Sequence, residues 1–284
     1  MPGPGTVPRT LYRHSRALRA AYLERRFRTR IGFDAQAPEL LLSPHLDDAV
    51  LDCWSVLSDE RELNVVNIFA GIPAPGPLTL WDAITGAADS PSRARERIAE
   101  DAVALAEARR QPLNLTLLDA QYRKPPPALQ LEDLDLAIAA HVRSASRVYV
   151  PAGIGAHPDH QLTRRYGRML ARAGLPVTLY AELPYCVFHG WPYWVDGREP
   201  DPKRDVDAFW ESFLGDVPEM PALRGAHVER LDDAGAAAKL AAMRCYATQL
   251  PALDYGARGL LADPEIHRFE VRWELRAAGR SPTA

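Results

Sequence analysis

The sequence predicts an α/β fold with a Rossmann-like, doubly wound and mainly parallel sheet that carries helices on both faces. Five short apolar runs lack polar alternation and are rich in branched side chains, which is typical of parallel strands covered on both sides. Helical patterns separate these runs, and such alternation of strand and helix favours a parallel sheet. The predicted strands are Glu39–Ser43, Asn64–Ala70, Leu113–Leu118, Arg147–Pro151 and Val177–Ala181.

The crossover helices follow from apolar spacing and from capping residues. Ala49–Leu57 is apolar on nearly all sides, so this helix is expected to be buried. Ser90 is the predicted N-cap of a second helix, with Pro91 at its first position. Ile98, Ala102 and Leu105 continue this helix at helical spacing. A third helix is predicted through Leu134, Ile138 and Val142, and a fourth over Pro158–Ala171.

The last third of the chain departs from this rhythm. Residues 184–222 are dense in Pro, Trp, Tyr and Asp, which predicts long irregular loops. Helical spacing returns from Ala236 to Leu250, and Phe269–Leu275 alternates like a strand. The sequence contains no internal repeat. We therefore interpret it as a basic N-terminal arm, residues 1–37, followed by a single α/β domain, residues 38–284.

The net charge of −3 conceals an uneven distribution of charged residues. Residues 8–30 contain eight arginines and one acid, Glu24, which leaves −10 on the remainder of the chain. Leu11, Leu18 and Tyr22 share one helical face. We favour a solvated helix packed on the domain over a contact site for an anionic partner. The acidic body argues against nucleic acid as the main ligand.

Composition bounds the class of protein. The chain has 284 residues, of which 47% are hydrophobic and 25% charged, as in ordinary globular enzymes. No apolar run reaches the length of about 18 residues that predicts a membrane span. The N-terminus lacks the apolar stretch of a secretory signal, and the three cysteines are widely spaced. These features predict a cytoplasmic enzyme and leave the oligomeric state undetermined.

Two polar clusters occupy equivalent places at strand ends. Ser43–Asp48, with the sequence SPHLDD, follows the first predicted strand. His157–His160, with the sequence HPDH, follows the fourth predicted strand after a short glycine-containing segment. In open α/β sheets, ligands bind at the carboxyl ends of the strands. The two clusters are therefore expected to meet at one edge of the sheet and to form the functional site.

The residue types in both clusters are those of a catalytic metal site. His45 and Asp48 lie three residues apart on a turn that enters a helix, and His160 would complete a His₂Asp set from the second loop. Three protein ligands with an open position for water are typical of catalytic zinc. Imidazole and carboxylate also suit ferrous iron, so Fe²⁺ is the alternative ion.

The neighbouring side chains fit the hydrolysis of an amide. Asp47 diverges from the proposed ligand Asp48 and can take the proton of a water that the metal activates. His157 can face the reacting carbonyl, where it would stabilise the oxyanion or protonate the leaving amine. Asp159 is then expected to orient His157 or His160. The alternative, that these residues only cap helices, is disfavoured because chance rarely places both patterns at strand ends.

On these two motifs, the sequence resembles the PIG-L/LmbE-like N-acetylglucosaminyl deacetylases. These enzymes use zinc to remove acyl groups, mostly acetyl, from N-acylated amino sugars. The resemblance covers roughly residues 38–255. It implies zinc ligands at His45, Asp48 and His160, a general base at Asp47, and a match between His157 and the first histidine of the second family motif.

The same resemblance implies two contacts with the substrate. The segment Arg97-Ile98-Ala99-Glu100 is similar to a family pattern whose arginine contacts the sugar. Asp119 is similar to the aspartate that closes the next strand and hydrogen-bonds sugar hydroxyls. From spacing alone, Arg97 is more simply a surface helix charge and Asp119 a turn residue.

The chain departs from the family pattern at three places. Leu46 stands where the family usually has proline, and Ala49 stands where it usually has glutamate. Gly155-Ala156 replaces a tyrosine that some relatives carry just before the second motif. None of these changes removes a proposed ligand. The three departures make the chain resemble a divergent subgroup, so the substrate of the best-known members does not transfer to it.

Three functional hypotheses follow. The leading one is a zinc-dependent hydrolase that removes an N-acyl group, chiefly acetyl, from a small-molecule amino sugar or a glycoside containing one. The second is a related metal-dependent amidase that acts on a thiol conjugate or a lipidated natural product. The third is a non-catalytic carbohydrate-binding relative, which would have no use for a water-activating Asp47.

The aromatic segment Tyr185–Trp194 is expected mainly to pack in the core, with sugar stacking as the alternative.

Overall fold

A computed structural model describes Tyr22, Arg25 and residues 34–123, 128–199 and 202–276. The predicted basic arm, residues 1–37, lies almost entirely outside these described residues. Seven strands form one sheet across the described chain. They are β1 (Glu39–Ser43), β2 (Leu63–Asn67), β3 (Pro112–Asn114), β4 (Val148–Pro151), β5 (Val177–Tyr180), β6 (His227–Arg230) and β7 (Phe269–Glu274).

The sheet is mainly parallel, which confirms the predicted fold class. Its strand order is β3-β2-β1-β4-β5-β7-β6, and the five strands from β3 to β5 all pair in parallel. The last two strands are antiparallel, because β7 pairs in that sense with both β5 and β6. From β1 the chain crosses to β2 and then to β3 on one side of the sheet, whereas from β4 it crosses to β5 on the other side. Such a reversal opens a crevice at the carboxyl ends of these two strands.

Helices pack on the sheet in two groups. In one group, α9 contacts both α1 and α4. In the other group, α5 contacts α6, and α6 packs on β4 and β5. The helices are α1 (Asp48–Asp52), α2 (Trp54–Leu57), α3 (Leu80–Ile84), α4 (Ser90–Glu107), α5 (Leu131–Arg143), α6 (Pro158–Arg172), α7 (Tyr193–Asp196), α8 (Val206–Leu214), α9 (Asp233–Met243) and α10 (Leu250–Gly256).

The segment predicted as one helix over Ala49–Leu57 is divided into α1 and α2. The backbone leaves helical geometry at Cys53, where φ is −133° and ψ is 31°. The carboxylate of Glu270 on β7 accepts hydrogen bonds from Trp54 N at 2.7 Å and Ser55 N at 3.1 Å. Lys239 Nζ on α9 lies 3.0 Å from the same carboxylate, and both side chains are fully buried. A distant, neutralised carboxylate thus caps α2 and stabilises the break.

Other boundaries also differ from the sequence prediction. The N-cap of α4 is Asp89, whose carboxylate accepts from Ser92 N at 2.7 Å, and not Ser90, which is the first helical residue. The predicted helical stretch from Ala236 to Leu250 is interrupted between α9 and α10. The region 184–222, predicted as irregular loops, contains α7 and α8. β6 was not predicted at all.

The core lies on both sides of the central strands. Leu40, Leu41 and Leu42 of β1 are all buried, so successive side chains face apolar layers on opposite faces. Trp191 and Trp210 pack edge to face at 6.0 Å, which confirms core packing for much of the aromatic segment. Within the described residues, no helix combines the length and apolar character needed to cross a membrane.

Candidate metal centre

The two polar clusters meet where β1 and β4 end side by side. These strands pair in parallel, with Leu40 opposite Val148 and Leu41 opposite Tyr149. The same register sets the ends of β1 and β4 level with each other. The loops that follow therefore leave one edge of the sheet together, as the sequence predicts.

A serine side chain closes the turn that carries the first motif. The hydroxyl of Ser43 donates to His45 O at 2.7 Å and accepts from Ala49 N at 3.1 Å. Ala49 itself is fully buried. Ser43 thus supports the loop in a chain that has alanine where the family usually has glutamate.

Three donor atoms from the two motifs form a nearly equilateral triangle. His45 Nδ1 lies 3.3 Å from Asp48 Oδ2, and His160 Nε2 lies 3.3 Å from the same oxygen. The two histidine nitrogens are 3.2 Å apart. In a tetrahedral zinc site with bond lengths of about 2.0 Å, the edge between two ligand atoms is about 3.3 Å. The donor types and their separations therefore fit a tetrahedral divalent ion that has one further position open.

Each of these two histidines also contacts a buried carboxylate through its other ring nitrogen. His160 Nδ1 lies 3.2 Å from Glu182 Oε1, and His45 Nε2 lies 3.3 Å from Asp159 Oδ2. Such contacts fix the tautomer, because a ring nitrogen that donates to a carboxylate leaves the other nitrogen as a ligand. The carboxylate of Asp159 thus contacts His45, whereas the sequence suggested His157 or His160 as the histidine that it orients; only the backbone nitrogen of Asp159 bonds His157.

The protein without an ion holds protons at this centre. Burial lowers the pKa of His45, but the charge of Asp119 and hydrogen bonds to Asp159 and Asp48 outweigh it and raise this pKa to about 10. The pKa of His160 is also raised, because Asp48 and Glu182 outweigh burial. Since a metal ion binds neutral imidazole, it must displace these protons.

Asp47 lies beside the triangle and is free of a structural duty. It occupies the N-cap position of α1, yet its side chain makes no capping hydrogen bond. Its carboxylate lies 3.9 Å from the guanidinium of Arg97. Burial, then the charge of Asp48, raises the pKa of Asp47, while Arg97 opposes the change. A buried carboxylate with an elevated pKa, and with no side-chain hydrogen bond to the described residues, is suited to accept a proton.

His157 caps α6 and stays neutral. Its Nδ1 accepts from Asp159 N at 3.4 Å, an arrangement that assigns the ring hydrogen to Nε2. Burial, followed by the charges of His45 and His160, lowers the pKa of His157 to about 3. A neutral imidazole with its Nε2 hydrogen available can donate a hydrogen bond at neutral pH.

Arg97 and Asp119 are buried in the site and bind each other. Arg97 Nη1 lies 3.2 Å from Asp119 Oδ2, and both side chains are less than a tenth exposed. Burial opposes ionisation of Asp119, but His45, Arg97 and hydrogen bonds from Gln121 lower its pKa to about 2. β3 ends at Asn114, so Asp119 follows a loop and caps the turn Ala120–Tyr122. Arg97 is therefore not the surface charge that spacing alone suggests, whereas Asp119 is a turn residue, as spacing suggests, but a buried one.

A cavity of about 200 Å³ opens over these residues. Its polar side includes both motifs, Arg97, Asp119 and Gln121, and its apolar side is made by Leu51, Trp81, Leu183, Pro184, Tyr185 and Leu253. Of the sequence-predicted site residues, His45, Asp47, Asp48, Arg97, Asp119 and His157 line this cavity. His160 and Asp159 lie behind them and are fully buried.

A second group of donors shares His45 with the triangle. Single donor atoms of His45, Asp119, His157 and Asp159 lie within 4.8 Å of one another. Both carboxylates in this group are already paired, Asp119 with Arg97 and Asp159 with Arg123. Two guanidinium groups disfavour a cation at this position, so the triangle of His45, Asp48 and His160 is the better metal site.

Sequence reasoning missed three contributors to the centre. Glu182, directly after β5, contacts His160 and also accepts from Gly153 N at 2.5 Å and Ile154 N at 3.3 Å. Arg123 pairs with Asp159 from a separate loop. Tyr185 lines the cavity. The sequence does contain a signal for Glu182, because it is a lone acid at the end of an apolar strand, in the sequence VTLYAELPY.

Comparison with known proteins identifies relatives of the fold. No family model matches the sequence, and no curated protein matches it. A triple mutant of a deacetylase involved in the teicoplanin biosynthetic pathway is similar with a TM-score of 0.63 and 25% identity, over 86% of this chain and 100% of that chain. An antimicrobial pseudoaglycone deacetylase is similar with a TM-score of 0.61 and 26% identity, over the same shares.

A zinc-inhibited form of a teicoplanin deacetylase also matches, with a TM-score of 0.64 and 23% identity over 86% of this chain and 100% of that chain. At this identity the likeness shows the fold alone. The structure is thus an α/β fold shared with these deacetylases.

Proposed function

We propose that this protein is a zinc-dependent hydrolase that removes an N-acyl group, chiefly acetyl, from an amino sugar or from a glycoside that contains one. The observation that supports it is the triangle of donors from His45, Asp48 and His160 beside the unbonded carboxylate of Asp47. The similarity to two deacetylases at 25% and 26% identity supports the same class of reaction.

His45, Asp48 and His160 would hold the ion, which when bound polarises an amide carbonyl and lowers the pKa of a water nucleophile. Asp47 accepts a proton from the attacking water. Arg97, whose guanidinium lies 3.9 Å from the Asp47 carboxylate, holds it in place and favours its ionised form before the proton is taken. Scission of the C–N bond requires a proton on the departing nitrogen, and Asp47 delivers the proton it took. The carboxylic acid that forms gives up its own proton to the amine, so the products are a carboxylate and an ammonium ion and the atoms of amide and water are conserved.

His157 stabilises the negative charge that develops on the acyl oxygen. Its pKa of about 3 keeps it neutral near pH 7, so it donates the Nε2 hydrogen in a hydrogen bond and does not transfer a proton. This favours the oxyanion role over protonation of the leaving amine.

The walls of the cavity fit the two halves of a glycoside. Arg97, Asp119 and Gln121 present charged and amide groups that suit sugar hydroxyls. The apolar part of the lining, with Trp81 and Leu253 among its members, suits an aglycone. The apolar wall also favours the second candidate, an amidase acting on a lipidated natural product or a thiol conjugate, with the same catalytic residues.

Release of the acyl product separates these candidates. The metal-free protein would be given one equivalent of zinc or Fe²⁺ and incubated with the methyl glycoside of N-acetylglucosamine, an N-acetylated thiol conjugate and a long-chain N-acyl amide. Acetate release from the glycoside that needs the ion and is lost in His160→Ala is the expected result. Turnover of either other substrate alone selects the second candidate. Hydrolysis that persists in chelator, or none by the loaded protein, contradicts the proposal.

A further inference from the structure

Tyr185 is the one phenol of the cavity wall, and the mechanism above does not use it. It follows Leu183-Pro184 at the start of a helical turn and faces both histidines of the second motif. Its ring centroid lies 6.4 Å from that of His157 and 5.6 Å from that of His160. Its hydroxyl makes no hydrogen bond to any described residue, and it is not among the described buried atoms that lack a partner. The hydroxyl therefore retains access to the cavity.

The ring of Tyr185 is held in place by close packing. A Cβ added at Gly155 would lie 2.6 Å from Cδ1 and 2.7 Å from Cβ and Cγ of the tyrosine, so the ring rests directly on the glycine backbone. Gly155 also has a φ of +81°, a conformation that favours glycine. Phe188 packs against the other side at a centroid distance of 5.7 Å. A fixed ring places its hydroxyl in advance, which is what a transition-state donor needs.

The charge around Tyr185 keeps the phenol protonated. Burial, then the negative charges of Asp48 and Asp47, raises the pKa of Tyr185. Near neutral pH the group is therefore a hydrogen-bond donor and not a base.

We propose that Tyr185 is a catalytic residue whose hydroxyl donates a hydrogen bond to the acyl carbonyl oxygen of the substrate as negative charge develops there. It would act with His157, which approaches from the neighbouring loop. No bond to Tyr185 forms or breaks, and its proton stays on the phenol oxygen. The catalytic role of Tyr185 rests on the proposed hydrolysis. The position of its hydroxyl at the cavity rests only on the packing of the ring.

The variant Tyr185→Phe tests the proposal, because it keeps the packed ring and removes only the hydroxyl. Loss of one oxyanion donor typically lowers kcat by about 10²-fold. We expect kcat for acetate release to fall by about that factor, with KM, zinc content and thermal midpoint unchanged. An unchanged kcat, or a change confined to KM, overturns the role at the carbonyl oxygen. Tyr193→Phe, on the exposed tyrosine of α7, is the matched control and should behave as wild type.

A binding measurement separates this inference from the proposed hydrolysis. Acetohydroxamate presents a carbonyl oxygen to the zinc-loaded protein and needs no turnover. Calorimetry should give a dissociation constant at least about 10-fold weaker for Tyr185→Phe than for wild type, within the range expected when a donor to a charged oxygen is removed. Equal affinities overturn the inference whatever the substrate proves to be. Failure of the wild type to release acetate, with this affinity difference intact, overturns only the proposed function.

Discussion

At the scale of the residue, the centre is built from pairs in which a histidine contacts a buried carboxylate. Asp48 contacts both His45 and His160 on the side proposed to face the ion, while Asp159 and Glu182 contact their opposite ring nitrogens. Carboxylates in such positions orient the imidazole and increase its basicity. In the metal-free protein, these carboxylates favour the protonated form of both histidines. In the loaded protein, each histidine offers the nitrogen that faces the ion as a ligand. Zinc binding should accordingly release protons.

Glu182→Gln isolates the contribution of one of these carboxylates. Glutamine keeps the shape and can still accept from Gly153 N, but it cannot supply the negative charge that polarises His160. Zinc affinity should fall by roughly 10–100-fold, measured by competition with a chromophoric chelator. Glu39→Gln, which changes a carboxylate at the start of β1, far along the strand from the centre, serves as control. A zinc affinity equal to wild type for Glu182→Gln would show that the contact does not orient the ligand.

Asp47 and Asp48 should separate chemistry from metal binding. Asp48→Ala removes one corner of the triangle, so metal and activity should be lost together. Asp47→Asn keeps the shape and the ion but cannot accept a proton, and kcat should fall by about 10²–10⁴-fold with KM little changed. Metal analysis and steady-state kinetics of the two variants provide the measurement. The assignments are exchanged if Asp47→Asn loses the ion and Asp48→Ala retains it.

The sequence could predict the residues of the triangle because each lies in a motif at a strand end. His45, Asp48 and His160 needed only the rule that parallel strands present their carboxyl ends together. Glu182 could not be found in the same way, since a single acid after β5 forms no pattern, and Tyr185 stood in an aromatic segment expected mainly to pack in the core. Their proximity to the second motif depends on the pairing of β4 with β5, which brings their loops together.

At the scale of the element, long-range contacts decide several boundaries. The run Ala49–Leu57 is continuously apolar and predicts an unbroken helix, yet Glu270 caps the chain at Trp54 from more than two hundred residues away. β6 escaped prediction because its sequence, HVER, is short and partly exposed at the sheet edge. β3 is shorter than predicted because the chain after Asn114 turns to approach Gly71, whose nitrogen donates to Leu117 O at 2.9 Å.

The buried pair of Lys239 and Glu270 should be important for the stability of the first helices. In Lys239→Met, Glu270 remains buried without its counter-charge while it still caps α2. Removal of one partner of a buried pair costs about 3–5 kcal/mol, and urea unfolding of the zinc-loaded protein measures the loss. The double variant Lys239→Met/Glu270→Gln should recover part of this loss, because glutamine caps without charge. A single variant as stable as wild type would contradict the account of the helix break.

At the scale of the whole molecule, the fold concentrates function at the position where the strand order reverses. β1 supplies the first motif, β4 the second, and β5 is followed by Glu182 and Tyr185. The doubly wound architecture was predictable because it needs only apolar runs and helical spacing. The antiparallel pair β6 and β7 was only half predictable, since β7 alternates clearly and β6 does not. This pair nevertheless matters to the site, because β7 carries Glu270 beneath α2.

An ion at the triangle would join loops from two strands, so it should stabilise the entire fold. A ligand that binds only the folded state at about 1,000 times its dissociation constant adds about 4 kcal/mol to the free energy of unfolding. For a domain of this size, that corresponds to a rise in the thermal midpoint of roughly 8–16 °C. Scanning calorimetry of the zinc-loaded protein before and after a chelator should reveal this difference.

The variant Asp48→Ala provides the decisive control for this measurement, because it lacks one corner of the triangle but keeps the rest of the fold. Its thermal midpoint should be the same with zinc and with chelator. A wild-type midpoint that chelation leaves unchanged would contradict a tightly held ion. A zinc-dependent rise of equal size in Asp48→Ala would place the stabilising ion elsewhere, and the donor set shared by His45, Asp119, His157 and Asp159 would then be the first alternative.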